Sequence, residues 1–478
     1  MTRKITIKPV TRIEGHATVD IYLDEKGNVS DTRLHILDLR GFEVFCLGRP
    51  VEEMPMIMPR ICGICSVSHH LASAKACDAL FDVRIPEPAA KLRELMHMGQ
   101  FIHNHALHFF MLAGPDLILG PDADPSIRNI AGLVRQNPEL AKTAIKLRSI
   151  GHKIIETLGG RPISPISAIP GGFSCPLSEE KRDELLKDAK GALKLAEPAV
   201  RASKPVLEKH EDMIRTFDGM KSYFMSIVGE GGNFELYDGP IRIMDPGGKR
   251  VDEFEPARYL DFVAEHVEPW SYLKFPYLKA LGWPKGVYRV APLARINIAE
   301  KMPTPLAQAE LEEFRSRFGR PAHLALLNHH ARLIELLYAC EWAIELLEGD
   351  DITSEDIRAE VGAPKGEGVS AVEAPRGTLF HHYMTDEDGF MKDINLIVAT
   401  AQNYPAMHFG SRALAKALIK GGKVSEGLLN RVEMLIRAYD PCLSCATHTI
   451  RPGQFPIEIN VFDENKSKVK NISNIARN

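Results

Sequence analysis

The 478-residue sequence is poor in cysteine: eight are far too few for a disulfide scaffold, so any that cluster ask for a metal or redox explanation first. It contains no stretch of the ~18 charge-free apolar residues that a membrane-spanning helix needs. The start at 1–10, with Arg3 and Lys4 and no apolar run behind them, lacks the pattern of a signal peptide. No membrane association is expected, and the expected location is the cytoplasm. Basic residues do not cluster: 59 Lys plus Arg against 63 Asp plus Glu leave a formal charge of -4, which makes nucleic acid an unexpected partner. There is no internal repeat, and the only biased segment is the tail, which turns polar after Phe462. Gly229-Glu230-Gly231-Gly232 lacks the strand–turn–helix frame and the third glycine position of a dinucleotide loop.

What is present describes a folded protein. Hydrophobic residues make up 45% and charged residues 26%, with 36 Gly and 32 Pro, so disordered, collagen-like and coiled-coil readings have no compositional support. Near the N-terminus Val19, Ile21 and Leu23 alternate with Thr18, Asp20 and Tyr22, turn residues occupy 24–28, and an apolar segment resumes at 34–37, which predicts a β-hairpin. From Pro88 the period becomes helical, with Leu92, Leu95, Met96, Phe101, Ile102, Leu107, Phe110 and Met111 at steps of three or four residues, interrupted only by Gly99. The same period predicts helices over 139–158, 179–217, 305–318, 322–347 and 426–439. Ser178 stands where an N-cap belongs, followed by Glu179 and Glu180, and Gly421-Gly422 is a stop signal between two helical stretches. The Gly-, Pro- and Asp-rich segment 229–249 reads as hairpin and loop.

Four of the cysteines form two pairs of equal spacing. Cys62-Gly63-Ile64-Cys65 precedes a helical pattern at 71–81, and Cys442-Leu443-Ser444-Cys445 follows Asp440-Pro441. A Cys-x-x-Cys turn that opens a helix aims N–H groups and a positive dipole end at the sulfurs, which favours the thiolate, the form that binds soft metals. One pair is a weak signal; two pairs supply the four soft ligands of a complete site. A structural zinc site is one reading. Zinc-ribbon pairs, however, lie within ~15–20 residues of each other, whereas these stand near opposite ends of the chain, so a shared site must be assembled by the whole fold. Arg60, His69 and Asp440 flank the cysteines, proton-handling neighbours that a closed structural site does not need, and an open sulfur site suits nickel better.

The segments Arg60-Ile61-Cys62-Gly63-Ile64-Cys65, with His69 four residues on, and Asp440-Pro441-Cys442-Leu443-Ser444-Cys445, with His448, resemble the two signatures of the large subunit of nickel–iron hydrogenases. Arg12-Ile13-Glu14-Gly15-His16, Arg40-Gly41-Phe42-Glu43 and Ala374-Pro375-Arg376-Gly377 are similar to three further motifs of that family, in the family's order. The resemblance spans Pro9 to His448. It implies that all four thiolates bind nickel, that Cys65 and Cys445 also bridge to an iron carrying CO and two cyanides, and that Cys62 and Cys442 are terminal on nickel. It further implies that His69 hydrogen-bonds the sulfur of Cys445, that Glu14 relays the proton from Cys442, and that Arg376 hangs over the open metal position, oriented by Asp440 and Asp116. Glu43, the carbonyl of Leu396 and His448 correspond to a second metal position, magnesium or iron; such oxygen and imidazole donors suit a hydrated hard cation. His97, His103, His105 and His108 point several ways around one helix and are assigned to packing and polar contacts.

The implied reaction is reversible heterolytic cleavage of H2, which releases two electrons that must leave. Cys46, Cys77, Cys175 and Cys340 are scattered singly and cannot supply an iron–sulfur cluster, so a partner subunit carrying such clusters is expected. The resemblance also implies a maturation protease that removes residues 449–478 as a C-terminal extension, leaving 1–448 as the mature domain. Ser164 stands where the family has His, which weakens any role for the loop 159–165. Ala399-Thr400-Ala401-Gln402-Asn403 resembles the cytoplasmic multimeric group. Within that group the chain looks closest to the viologen-reducing, deazaflavin-nonreducing enzymes of methanogens, which work with an electron-transfer subunit and heterodisulfide reductase. Deazaflavin- or NAD-reducing relatives are the alternative. A nonredox relative of the complex I type conflicts with the retained cysteines, and a zinc-stabilised interaction protein stays open to metal analysis. The expected fold is mainly α with minor β: one large helical bundle around a buried metal centre, with a small N-terminal β region.

Overall fold

A computed structural model describes residues 3–448 apart from 37, 39, 218, 219, 269 and 272, together with the backbone of strands Glu458–Phe462 and Lys468–Ser473. The longer helices are α1 (Ser66–Leu80), α2 (Glu87–Ala106), α3 (Pro138–Gly159), α4 (Glu179–Lys209), α5 (Pro305–Phe318), α6 (Asn328–Glu348), α7 (Ala399–Leu418) and α8 (Glu426–Ala438). Helices α2, α3, α4 and α6 pack side by side as the bundle. Among the described residues no helix is long and apolar enough to cross a membrane.

The local signals explain most of these elements. Helix α4 starts at Ser178, whose side chain accepts from Lys181 N at 3.4 Å, and runs through Pro198 and Pro205 to Lys209. The predicted single helix over 179–217 is therefore two, because His210 leaves the helical conformation before a short helix, Glu211–Thr216. Gly99, the one interruption of the α2 pattern, is where α2 and α3 touch. A Cβ built at Gly151 would stand 2.5 Å from Gly99 O and 2.7 Å from His103 N, so only glycine lets the two backbones approach this closely. Beyond Ala106 the helix widens into π-helical turns, Leu107–Ala113 and Pro115–Leu119, a distortion that often accompanies functional positions.

The predicted hairpin is present as Ala17–Leu23 against Val29–Ile36, with Arg3–Ile7 adding a third antiparallel strand. Strand structure extends well beyond this N-terminal sheet. Tyr223–Ile227, Ile241–Met244 and Arg250–Phe254, with the short parallel strand Tyr288–Arg289, form a second sheet, and Glu367–Ala374, Gly377–Thr385 and Met391–Ile397 a third. The third sheet was not predicted because Gly377–Thr385 is buried along almost its whole length, polar Thr378, His381 and His382 included, so it shows no alternation of apolar and polar residues. Helix α7 carries Pro405 in its interior, a breaker by local rules that tertiary packing overrides. Of the expected extension 449–478, only the backbone of two antiparallel strands is described. Both cysteine pairs lie in the main hydrophobic core.

Candidate metal centre

The two cysteine pairs meet. Among the described residues, Cys62, Cys65, Cys442 and Cys445 form the one group of three or more His, Cys, Asp or Glu able to hold a metal ion, with ligand atoms all within 4.8 Å of one another. The Sγ–Sγ distances are 3.2 Å for Cys62–Cys442, 2.7 Å for Cys442–Cys445 and 3.6 Å for Cys65–Cys445. None of the four side chains is more than 3% exposed. Cys65 is the residue before α1, and Cys62 Sγ accepts from Ile64 N and Cys65 N at 3.3 and 3.4 Å, so the helix start aims its N–H groups and positive end at the sulfurs as the spacing predicted.

The second pair is set by an unusual backbone. Asp440 has φ +52°, a left-handed conformation rare for a residue with a side chain, immediately before Pro441. It is held there by Asp440 N donating to Arg437 O at 2.9 Å and by its own carbonyl accepting from Arg376 Nε. Cys442 then runs extended beside Glu14 and donates its N–H to Thr400 Oγ1 at 2.9 Å.

The electrostatics of this sulfur cluster ask for a cation. Hydrogen bonds from the neighbouring sulfurs, that of Cys442 foremost, pull the Cys62 thiol well below its ordinary value, while burial pushes Cys442 and Cys445 well above theirs. One sulfur is readily ionised and its neighbours resist, because several anions cannot share a buried site without positive charge between them. Bound soft metal ions supply that charge, so the donor set fits nickel and iron.

Arg376 lies over this cluster. Its Nη1 donates to Cys65 Sγ at 3.1 Å and to Asn104 Oδ1 at 3.3 Å, and its Nη2 donates to Asp440 Oδ1 at 3.0 Å. The turn that presents it needs Gly377, whose φ is +128° and at which a Cβ would stand 2.2 Å from Val290 O. Asn403 Nδ2 fixes the Arg376 carbonyl at 2.9 Å. Asp440 thus contacts the guanidinium, whereas Asp116, the other carboxylate expected beside it, does not reach it. Asp116 sits on the π-helical turn and bonds Arg437, Arg12 (2.5 Å) and Asn430 (3.1 Å). The position expected for it beside Arg376 belongs to Asn104, on the α2 face turned towards the cluster. The signal of Asn104 in the sequence is a polar residue inside the His103-Asn104-His105 run, but a lone Asn carries no metal-site pattern.

The remaining expected residues fall as follows. His69 Nε2 is 3.4 Å from Cys445 Sγ, and burial lowers its pKa to about 4, so the ring is neutral. The Glu14 carboxylate accepts from Ser444 N at 3.1 Å and Ser444 Oγ at 2.6 Å, which ties it to the turn between Cys442 and Cys445. Glu43 and His448, 405 residues apart, meet at 3.0 Å, and Leu396 N donates to Glu43 Oε1 at 3.1 Å. Of the histidines on α2 and its extension, His97 and His108 reach the carbonyls of Glu373 and Arg437, each at 2.8 Å, His105 pairs with Glu335 at 2.8 Å, and His103 stacks on His152. They form no shared site among the described residues. Arg60 is exposed, and sequence reasoning missed Ser444, Thr400 and Asn403: Ser444 gains meaning only when it meets Glu14 across the chain ends, and Thr400 and Asn403 only when they meet Cys442 and Arg376 in the folded core.

Comparison with known proteins agrees with this geometry. A family model described as "Nickel-dependent hydrogenase" matches residues 40–125 and 251–448, and one described as "HoxL-like" matches 4–39. A subunit of the F420-non-reducing hydrogenase of Methanothermobacter thermautotrophicus is 48% identical over 98% of this chain and 100% of its own length. A vhu subunit of the F420-non-reducing hydrogenase of Methanocaldococcus jannaschii is 51% identical over 87% of this chain and 100% of its own. A crystal structure of an NAD+-reducing [NiFe]-hydrogenase in the H2-reduced state superposes with a TM-score of 0.91 at 43% identity, covering 93% of this chain and 99% of that one. Two family signatures that meet in one buried sulfur cluster, on the fold of a solved hydrogenase, leave one conclusion: the chain belongs to the nickel-dependent hydrogenases, as the catalytic subunit of an oxidoreductase acting on H2.

Proposed function

We propose that the four thiolates hold a nickel–iron centre, with Cys62 and Cys442 terminal on nickel and Cys65 and Cys445 bridging to an iron that carries one CO and two cyanides. The carrying observation is the convergence of four buried sulfurs from opposite ends of the chain beneath a guanidinium. When bound, the metal pair supplies the acceptor for the electron pair of H2. The protein's part is to take the proton and to shape the space above the site. H2 is a very weak acid, so a base must stand beside the acceptor, and the terminal sulfur of Cys442 is that base. Arg376, held by Asp440 and Asn104, keeps a fixed positive charge there that polarises H2 in a water-excluded setting. Glu14 then takes the proton outward: it is half-buried, its backbone runs beside Cys442, and Ser444 Oγ links its carboxylate to the cysteine turn. Glu43, His448 and the carbonyl of Leu396 are proposed to bind magnesium or iron; the meeting of the Glu43 and His448 side chains, with the Leu396 backbone beside Glu43, supports this.

H2 yields two protons and two electrons, and the electrons are proposed to pass to a small subunit carrying iron–sulfur clusters. A concave surface of about 550 Å³ lined by Arg40, Phe42, Phe45, Arg49, Ile57 and Arg60 supports docking there, with Phe45 54% exposed two residues from Glu43 and Arg60 two residues from Cys62. Onward transfer through an electron-transfer subunit to heterodisulfide reductase in the cytoplasm belongs to the same proposal and is carried by the resemblance of the motifs; the names of the methanogen relatives add only that those enzymes do not reduce F420. Cleavage after His448 by a maturation protease, removing 449–478, completes the reading. Infrared spectroscopy of the purified complex tests it: bands of iron-bound CO and cyanide, with nickel and iron in equal amounts at the centre, are expected. Zinc without nickel would refute it.

A further inference from the structure

The mechanism uses His69 only as a neighbour of Cys445, yet His69 is the first link of a longer buried chain. Its Nδ1 lies 3.2 Å from His381 Nε2, His381 Nδ1 lies 2.7 Å from Tyr383 Oη, and Tyr383 Oη lies 2.8 Å from Ser73 Oγ. His69 and Ser73 are one helical turn apart on α1. His381 and Tyr383 are two residues apart on the central strand of the third sheet and so face the same side. None of the four side chains is more than 1% exposed.

Each link has a limited inventory of hydrogens, and that decides the direction of the chain. A metal-bound thiolate can only accept, so the hydrogen between His69 and Cys445 is on His69 Nε2. A neutral imidazole has one N–H, so His69 Nδ1 is then a bare lone pair and needs a donor. Burial keeps His381 neutral as well, and it can donate from Nε2 only by leaving its own Nδ1 bare. Tyr383, whose phenol burial pushes well above its ordinary pKa, can turn its rotatable O–H to fill that need; the 2.8 Å contact with Ser73 Oγ, in which the phenol otherwise donates, then takes its hydrogen from Ser73. No link is left unmatched in this arrangement, and reversing any one of them sets two donors or two lone pairs against each other.

We propose that His381 and Tyr383 are positioning residues that, with Ser73, lock His69 in the tautomer that donates to the bridging sulfur of Cys445. The inference rests on the metal-bound reading above, because it takes Cys445 as a thiolate. An N–H held against the sulfur withdraws electron density from it, so the chain tunes the metal centre from three residues away without touching it.

Neutron diffraction of the assembled, metal-loaded complex exchanged into D2O reads the tautomers directly. Deuterium is expected on Nε2 of both His69 and His381; deuterium on Nδ1 of either ring overturns the proposal. The midpoint potential of the nickel centre gives a second reading. His381→Leu removes the donor to His69 and is expected to shift the potential with nickel content unchanged, whereas His381→Gln, which keeps an N–H donor, restores the wild-type value. Equal potentials in wild type and both variants overturn the proposal. A complex that carries zinc in place of nickel and iron defeats the functional reading instead, and leaves the deuterium positions to decide the hydrogen-bond direction by themselves.

Discussion

Asn104 bridges the two charged partners above the sulfur cluster: its Oδ1 accepts from Arg376 Nη1 and its Nδ2 donates to Asp440 Oδ2, both at 3.3 Å. A neutral amide can serve both signs at once, which a carboxylate cannot. Asn104→Leu is expected to leave Asp440 Oδ2 without this donor and to destabilise the fold by about 1–3 kcal/mol. It is also expected to lower kcat for H2 oxidation more than it raises KM. Denaturation and steady-state kinetics check the two effects, and wild-type kcat would remove Asn104 from the positioning of Arg376.

The sulfur cluster predicts an all-or-none response to ligand loss. Cys62→Ala and Cys442→Ser each remove one of four soft donors, so nickel content measured by elemental analysis is expected to fall towards zero and activity with it. Full nickel occupancy in either variant would contradict the ligand assignment.

On the proposed route Glu14 carries the proton outward and binds no metal. Glu14→Gln keeps the Ser444 contact through an amide oxygen but cannot take up a proton. Nickel and iron content should be unchanged, while H/D exchange between H2 and solvent should slow by at least about tenfold, below the usual range for a lost acid–base group because other routes can leak. Unchanged exchange would assign the route to another group.

The presentation of Arg376 depends on the absence of a side chain at the next position. Gly377→Ala sets a Cβ 2.2 Å from Val290 O at φ +128° and is expected to destabilise the protein by on the order of 3 kcal/mol. Thermal unfolding of the purified chain would show it, and a wild-type Tm would mean that the turn has another accessible geometry.

His70 is one of several buried histidines that contribute to the acid limb of stability. Burial lowers its pKa from 6.5 to about 4, and its ring is fixed between Pro55 O at 2.7 Å and Ala168 N at 2.9 Å. Below pH 6.5 the unfolded chain takes a proton at this position that the folded chain refuses until about pH 4. Stability is therefore full above pH 6.5 and lost as the pH falls towards 4, by about 3 kcal/mol from this group. His70→Gln should flatten that part of the denaturation profile, and an unaltered slope would assign the acid sensitivity elsewhere.

The helices were legible because burial on one face leaves a 3.6-residue period, and α3 and α4 follow it closely. The third sheet was not, because a strand buried on both faces carries no period to read. Asp116 was misassigned for a related reason: a carboxylate in a sequence looks available for any nearby cation, and only packing shows that Arg437 and Arg12 already hold it.

Residue type and spacing were enough to mark a soft-metal site at Cys62, Cys65, Cys442 and Cys445. The class of reaction came from the resemblance of the motifs around them to a known family. Which groups surround the sulfurs was settled by packing. The meeting of Asn104 with Arg376, of Ser444 with Glu14, and of His69 with His381 and Tyr383 depends on how helices and strands hundreds of residues apart are brought together, and no local pattern encodes a contact made across that distance.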